Sequence, residues 1–147
     1  MQIETASIAD VPALIDLLSL LFTQEIEFQP NKEAQTRGLT KIIENSQIGT
    51  ILIIKQDNSI VGMVNLLYTV STALGERVAI LEDMVVSPHC RSAGAGTKLL
   101  QAAIGHARQT GCKRITLLTD QSNESAQIFY GKQGFTMSTM VPLRLQL

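Results

Sequence analysis

Apolar positions along this chain change their period several times, and each change marks an element. Gln2 to Ala6 alternates as a short opening strand. Ser7, with Asp10 three residues on, reads as a variant of the capping box. Val11, Leu14, Ile15, Leu18, Leu21 and Phe22 then recur at helical spacing to about Gln24. Pro12 falls in that helix's first turn, where its missing N–H costs little. Glu25 to Pro30 is a polar connection, and Leu39, Ile42 and Ile43 predict a second helix over Lys32 to Glu44. Thr50 to Lys55 and Ile60 to Tyr68 read as a hairpin around Asp57-Asn58-Ser59. A turn at Thr72 to Glu76 leads into the apolar strand Val78 to Val86, which Pro88 ends.

Beyond it, Leu99, Leu100, Ala103, Ile104 and Ala107 make a helical stripe over Gly94 to Thr110, stopped by Gly111. Ile115 to Leu118 is a compact buried strand, and Ser125 to Lys132 a short helix before Gly134. Thr139 to Leu145 closes with one or two strands, interrupted at Pro142. The order β-α-α-β-β-β-α-β-α-β, with an optional last strand, predicts a mixed α/β domain with its sheet between helices.

At 147 residues the chain fits one domain spanning 1–147. Aromatics supply only 4% and tryptophan is absent, so the core must be aliphatic. The formal net charge of -1 and the lack of a basic tract point away from nucleic acid and membrane surfaces. The apolar runs fall short of the roughly 20 residues of a membrane span. Cys90 and Cys112 have no metal-ligand spacing and follow no secretory segment, so a cytoplasmic protein without a bound metal is expected.

The chemistry is concentrated after the third long strand. Arg91-Ser92-Ala93-Gly94-Ala95-Gly96 lies between that strand and the following helix. Glycines there admit close approach, the helix start offers unpaired N–H groups and Arg91 adds a cation, a combination suited to pyrophosphate. A P-loop needs Gly-Lys-Ser/Thr, but Gly96-Thr97-Lys98 has the reverse order. A dinucleotide fingerprint needs a third glycine where Leu99 stands. The pattern R-x-x-G-x-G fits without adjustment.

That loop, Val86-Ser87-Pro88 before Arg91, and the ordered set Asn123, Ala126, Tyr130, Gly134 and Phe135 together resemble the GNAT (N-acetyltransferase) superfamily. The strong similarity runs from about Leu81 to Phe135; Ser92 and Ala95 depart from the family's usual glycine and branched aliphatic. The resemblance implies a GNAT-type, mostly antiparallel sheet flanked by helices, with acetyl-CoA as co-substrate. It implies that CoA is held by Met84, Val85, Val86, Arg91, Ser92, Ala93, Gly94, Ala95, Gly96, Thr97, Asn123, Ala126 and Tyr130. The pantetheine arm would lie in a splayed gap between the strand around Met84 to Val86 and that at Ile115 to Leu118. Tyr130 takes the family position whose hydroxyl reaches the sulfur of CoA, as a general acid.

The base is Glu82 or a water relay, because strand alternation turns Glu82 and Asp83 to opposite faces and one should meet the cleft. Glu25 and Glu27, with Glu82 or Asp83, would form an acidic mouth for a cationic amine. The subset that acetylates protein N-termini carries a glutamate where this chain has Leu118. The expected acceptor is therefore a small-molecule primary amine; the alternatives are a protein lysine or N-terminus, or a CoA-binding sensor domain without turnover. A homodimer is compatible with the family. His89, His106 and both cysteines are expected to be structural, exposed or incidental.

Overall fold

The protein is described by a computed structural model over residues 1–24 and 31–147. Five strands form one sheet in the order β1-β2-β3-β4-β5. They are β1 (Gln2–Thr5), β2 (Gly49–Gln56), β3 (Ser59–Ser71), β4 (Glu76–Val86) and β5 (Ile115–Leu117). The first four pair antiparallel, and β5 runs parallel to β4. The helices are α1 (Val11–Gln24), α2 (Lys32–Glu44), α3 (Ala95–Gln109) and α4 (Glu124–Lys132).

Local chemistry accounts for the boundaries. A 3-10 turn at Ile8–Asp10 leads into α1, and the Asp10 carboxylate accepts from the Ser7 N–H at 2.8 Å. The Asn31 side chain takes the Ala34 N–H at the start of α2, satisfying one of the donors a helix leaves open. The β2–β3 hairpin turns at Asp57 and Asn58, whose φ values of 52° and 65° give the handed turn that matches strand twist.

The sheet carries a different core on each face. On one, Leu14, Leu17 and Leu18 of α1 and Leu39 of α2 meet Ile51, Ile53, Met63 and Val85. On the other, Leu99, Leu100, Ala103 and Ala107 of α3 cover Leu52, Ile54, Val64, Leu66, Ala79 and Leu81. The alternation of Ile51 to Ile54 between these two cores is the period-2 geometry of a strand buried on both sides. An aliphatic core thus forms as the composition requires.

One element departs from expectation. No ladder forms over Thr139 to Leu145, and residues 135–147 contain no helix or strand. A strand exists only where a neighbouring strand accepts its hydrogen bonds, and none of the described strands pairs with this segment.

Candidate active site

The sheet opens between β4 and β5. The two strands pair over only three positions, Ala79 with Ile115, Ile80 with Thr116 and Leu81 with Leu117. Beyond Leu81, β4 continues to Val86 with β3 on one edge and, among the described residues, no strand on the other. The N–H and C=O groups that this stretch turns to that edge suit a strand-like ligand, apart from the Val86 carbonyl, which takes the Arg91 Nε–H. Met84 and Val86 pack their half-buried side chains toward α3, whereas Val85 is buried toward α1. The Ser87 N–H on the Val61 carbonyl makes Met63 and Val85 the hydrogen-bonded pair, so the Val85 backbone groups turn to β3 and those of Met84 and Val86 turn to the opening.

A register break sits at the mouth of this gap. Asn65 pairs with Asp83 and Leu66 with Leu81, which leaves Glu82 as an extra residue without a partner on β3. The bulge cancels the simple alternation expected along β4. Met63 and Val85, paired with each other, both face α1. Two residues along from each, Asn65 and Asp83 share that face. The Asn65 side-chain amide donates to the Asp83 carboxylate at 3.2 Å. Asn65 is 2% exposed, and its Oδ1 is buried with no hydrogen-bond partner among the described residues. Burial pushes the Asp83 carboxyl up to about 6, against the Asn65 hydrogen bond that lowers it, with the nearby Glu82 charge adding to the rise. Glu82 itself is exposed.

On the α3 side lies the glycine loop. Pro88–Ala93 forms a 3-10 turn, Gly94 follows at φ 81°, and α3 begins at Ala95. A side chain at Gly94 would meet no neighbour but would sit in the left-handed region, so glycine is required by conformation rather than by space. No side chain caps this helix start, and no acidic residue lies in its first turn. The ladder begins with the Lys98 N–H on the Gly94 carbonyl, and the amides of Ala95, Gly96 and Thr97 come before it. Those amides suit the pyrophosphate of CoA. The exposed Arg91 donates through Nε to the Val86 carbonyl at 3.2 Å, which ties the loop to the end of β4. The Ala95 methyl is fully buried, so its contribution to a ligand can come only from the main chain.

Tyr130 of α4 stands against the same core as α3. Phe129 and Phe135 meet its ring edge-on, at centroid distances of 5.2 and 5.6 Å. Burial pushes its phenol up to about 12, and the hydroxyl has no hydrogen-bond partner among the described residues. Phe129 also borders the glycine loop; a methyl on Gly96 would lie 3.5 Å from its ring. The loop, Tyr130 and the α3 side of the gap are therefore one neighbourhood, with Asp83 on the opposite face.

The remaining candidates divide. Asn123 caps α4, its Oδ1 accepting from the Ala126 N–H at 3.1 Å, so both residues have a visible role in shaping the helix that carries Tyr130. His106 is structural, meeting the Thr50 hydroxyl at 3.2 Å, which meets the Tyr68 hydroxyl at 2.7 Å. His89 is exposed, and Cys90 and Cys112 are buried free thiols. Glu25 and Glu27, and with them the acidic mouth, lie outside the described residues. Asn65 was not singled out from sequence, because only the strand register joins it to Asp83. Among the described residues no cluster of His, Cys, Asp and Glu could hold a metal, and no helix is long and apolar enough to cross a membrane.

Comparison with known proteins bears on the same elements. The family model described as "Acetyltransferase (GNAT) family" matches residues 12–135. The chain is 34% identical over 143 residues to the Bacillus subtilis protein called uncharacterized N-acetyltransferase YhfO, covering 95% of this chain and 92% of that one. It is 27% identical to the amino-acid acetyltransferase of Salmonella typhi, covering 92% of this chain but 27% of that longer protein. Among solved structures, integron cassette protein HFX_CASS3 from a salt-marsh metagenome superposes with a TM-score of 0.86 at 27% identity, covering 99% of this chain and 90% of that one.

Proposed function

The chain belongs to the GNAT acetyltransferase family and is an acyltransferase, and we propose that it carries an acetyl group from acetyl-CoA to the primary amine of a small molecule. The observation that carries this reading is the opening between β4 and β5, with Tyr130 on one face of the sheet and Asp83 on the other. Acetyl-CoA enters from the α3 side, its pyrophosphate on the amides of Ala95, Gly96 and Thr97, beside Arg91. Its pantetheine arm runs along the free edge of residues 82–86. The thioester then lies in the gap, within reach of both faces.

The acceptor amine approaches from the α1 side. Asp83, rather than the exposed Glu82, is the general base, because its raised pKa of about 6 matches a proton acceptor working near neutrality. Asn65 orients the Asp83 carboxylate, and its orphaned Oδ1 supplies an acceptor beside the site. Asp83 takes a proton from the amine as nitrogen attacks the thioester carbon. A backbone N–H of β4 stabilises the oxyanion, a donor class worth roughly 3 kcal/mol. The tetrahedral carbon then expels the thiolate, which takes the proton of Tyr130; the phenolate regains a proton from solvent and Asp83 releases its own to solvent, which resets both groups. A phenol held at about 12 stays protonated at every physiological pH, so the acid is always loaded. Products are an N-acetyl amine and CoA.

The small-molecule acceptor rests on two supports. Leu118 stands where protein N-terminal acetyltransferases place a glutamate, and the Salmonella typhi relative is called an amino-acid acetyltransferase. The test is release of free CoA thiol with a panel of polyamines, aminoglycosides, amino acids, peptide N-termini and lysine-bearing proteins. Turnover confined to peptides or proteins overturns the small-molecule reading. Binding of acetyl-CoA with no turnover on any amine makes the protein a CoA sensor.

A further inference from the structure

Arg91 stands in the loop that leads into α3, yet its side chain reaches back to the end of β4. Its Nε–H donates to the Val86 carbonyl at 3.2 Å. No carboxylate pairs with it among the described residues. Nor does an acidic residue lie in the first turn of α3, which begins at Ala95. The guanidinium therefore carries an unopposed charge, and a neutral carbonyl takes its bond.

That carbonyl belongs to the free edge. Val85 pairs with Met63 and turns its backbone groups to β3, so Met84 and Val86 turn theirs to the opening. A strand-like ligand needs acceptors along such an edge as well as donors. The pantetheine arm is a chain of amides, and the carbonyls this edge offers to its N–H groups are those of Met84 and Val86. Arg91 covers the second.

The main chain of the loop need not move for Val86 to be uncovered. The Ser87 N–H is held on the Val61 carbonyl, and the buried Cys90 places its thiol on the Gln56 Oε1 at 3.1 Å. Arg91 itself is exposed, so its side chain can swing on a fixed backbone. A hydrogen bond from a guanidinium is stronger to an ionised phosphate than to a neutral carbonyl. Pyrophosphate on the α3 amides therefore draws Arg91 off Val86, whereas a pantetheine thioester without a nucleotide has no charge with which to do so.

Resting on the placement of acetyl-CoA given above, we propose that Arg91 determines specificity for the nucleotide-bearing thioester. Its guanidinium covers the Val86 carbonyl until pyrophosphate displaces it, and only then is the whole edge open to the pantetheine arm. Acyl groups carried on pantetheine alone are thereby disfavoured.

The experiment uses the full chain and probes that bind without an acceptor amine. Acetyl-CoA is titrated by calorimetry, and S-acetylpantetheine, which is uncharged, by shifts in the amide spectrum of the isotope-labelled protein. Arg91→Ala should weaken acetyl-CoA about tenfold, through loss of a charge-assisted contact, and tighten S-acetylpantetheine about threefold, through relief of one competing hydrogen bond. Arg91→Gln puts its amide nitrogen where the arginine Nε stood, so it keeps a donor for Val86 and loses the charge. It should weaken acetyl-CoA and leave S-acetylpantetheine as weak as in the wild type. If Arg91→Ala binds S-acetylpantetheine no more tightly than the wild type, the proposal is overturned, because Arg91 then serves arm and pyrophosphate together. An equal gain in Arg91→Gln overturns it too, by tracing the effect to charge rather than to the covered carbonyl. A wild type that binds no acetyl-CoA sinks the cofactor assignment itself and the proposal with it.

Discussion

Replacing Asp83 with asparagine removes the charge and keeps the shape, and its consequences can be worked out at two levels. With a pKa of about 6, the carboxylate is about 90% ionised at pH 7 and about 10% at pH 5. If Asp83 is the base, kcat/KM of the wild type should fall about tenfold between those two pH values. A carboxylate at its ordinary value would stay over 90% ionised at pH 5, and the profile would be nearly flat. Asp83→Asn should lose about 100-fold or more in kcat, the scale of general-base catalysis, together with that acidic limb.

Stability should move the other way. The folded-state pKa lies above the unfolded value of 3.8, so the folded protein favours the protonated carboxyl. That preference contributes fully below pH 3.8 and is lost as pH rises through about 6. At pH 7 the wild type therefore bears the cost of an ionised buried carboxylate, on the order of 3 kcal/mol at most. The variant avoids it, and its new amide can donate to the buried Asn65 Oδ1. Urea unfolding at pH 4 and pH 7, beside thiol-release assays from pH 5 to 8, reads both effects. A variant that keeps the acidic limb, or that is no more stabilised at pH 7 than at pH 4, would refute the assignment.

Three further outcomes are expected. Tyr130→Phe should lower kcat about 100-fold while acetyl-CoA still raises the melting temperature as in the wild type, because the ring contacts with Phe129 and Phe135 survive; near-normal turnover would make Tyr130 a packing residue. With its phenol held at about 12, the wild type should show no alkaline limb from this group below pH 10. Gly96→Leu should crowd the Phe129 ring and abolish most of the melting shift given by acetyl-CoA, and an unchanged shift by calorimetry would remove the pyrophosphate assignment. Glu25→Gln together with Glu27→Gln should raise KM for cationic amines several-fold with little change in kcat, since such charges bind ground and transition states alike; unchanged KM in initial-rate assays would dissolve the acidic mouth.

The helices and paired strands were legible because their signals are local. The α1 stripe from Val11, the Asp57-Asn58 turn and the α3 stripe ending before Gly111 each depend on residues within a few positions of one another. The glycine loop was legible for the same reason, since Gly94 must supply a left-handed φ wherever that helix is placed. The ordered spacing from Arg91 to Phe135 carried the family.

Tertiary structure decided the rest, and in each case the cause is pairing between distant segments. No pattern around Glu82 announces that Asn65 and Leu66 will pair across it, so the bulge that leaves Glu82 exposed and Asp83 half-buried belongs to the β3–β4 register alone. Desolvation then sets the carboxyl's pKa, a property of everything packed around it rather than of its neighbours in the chain. The tail shows the same division. Its alternation reads locally as a strand, but a strand's hydrogen bonds lie outside itself, and only the fold shows that none of the described strands pairs with residues 141–147.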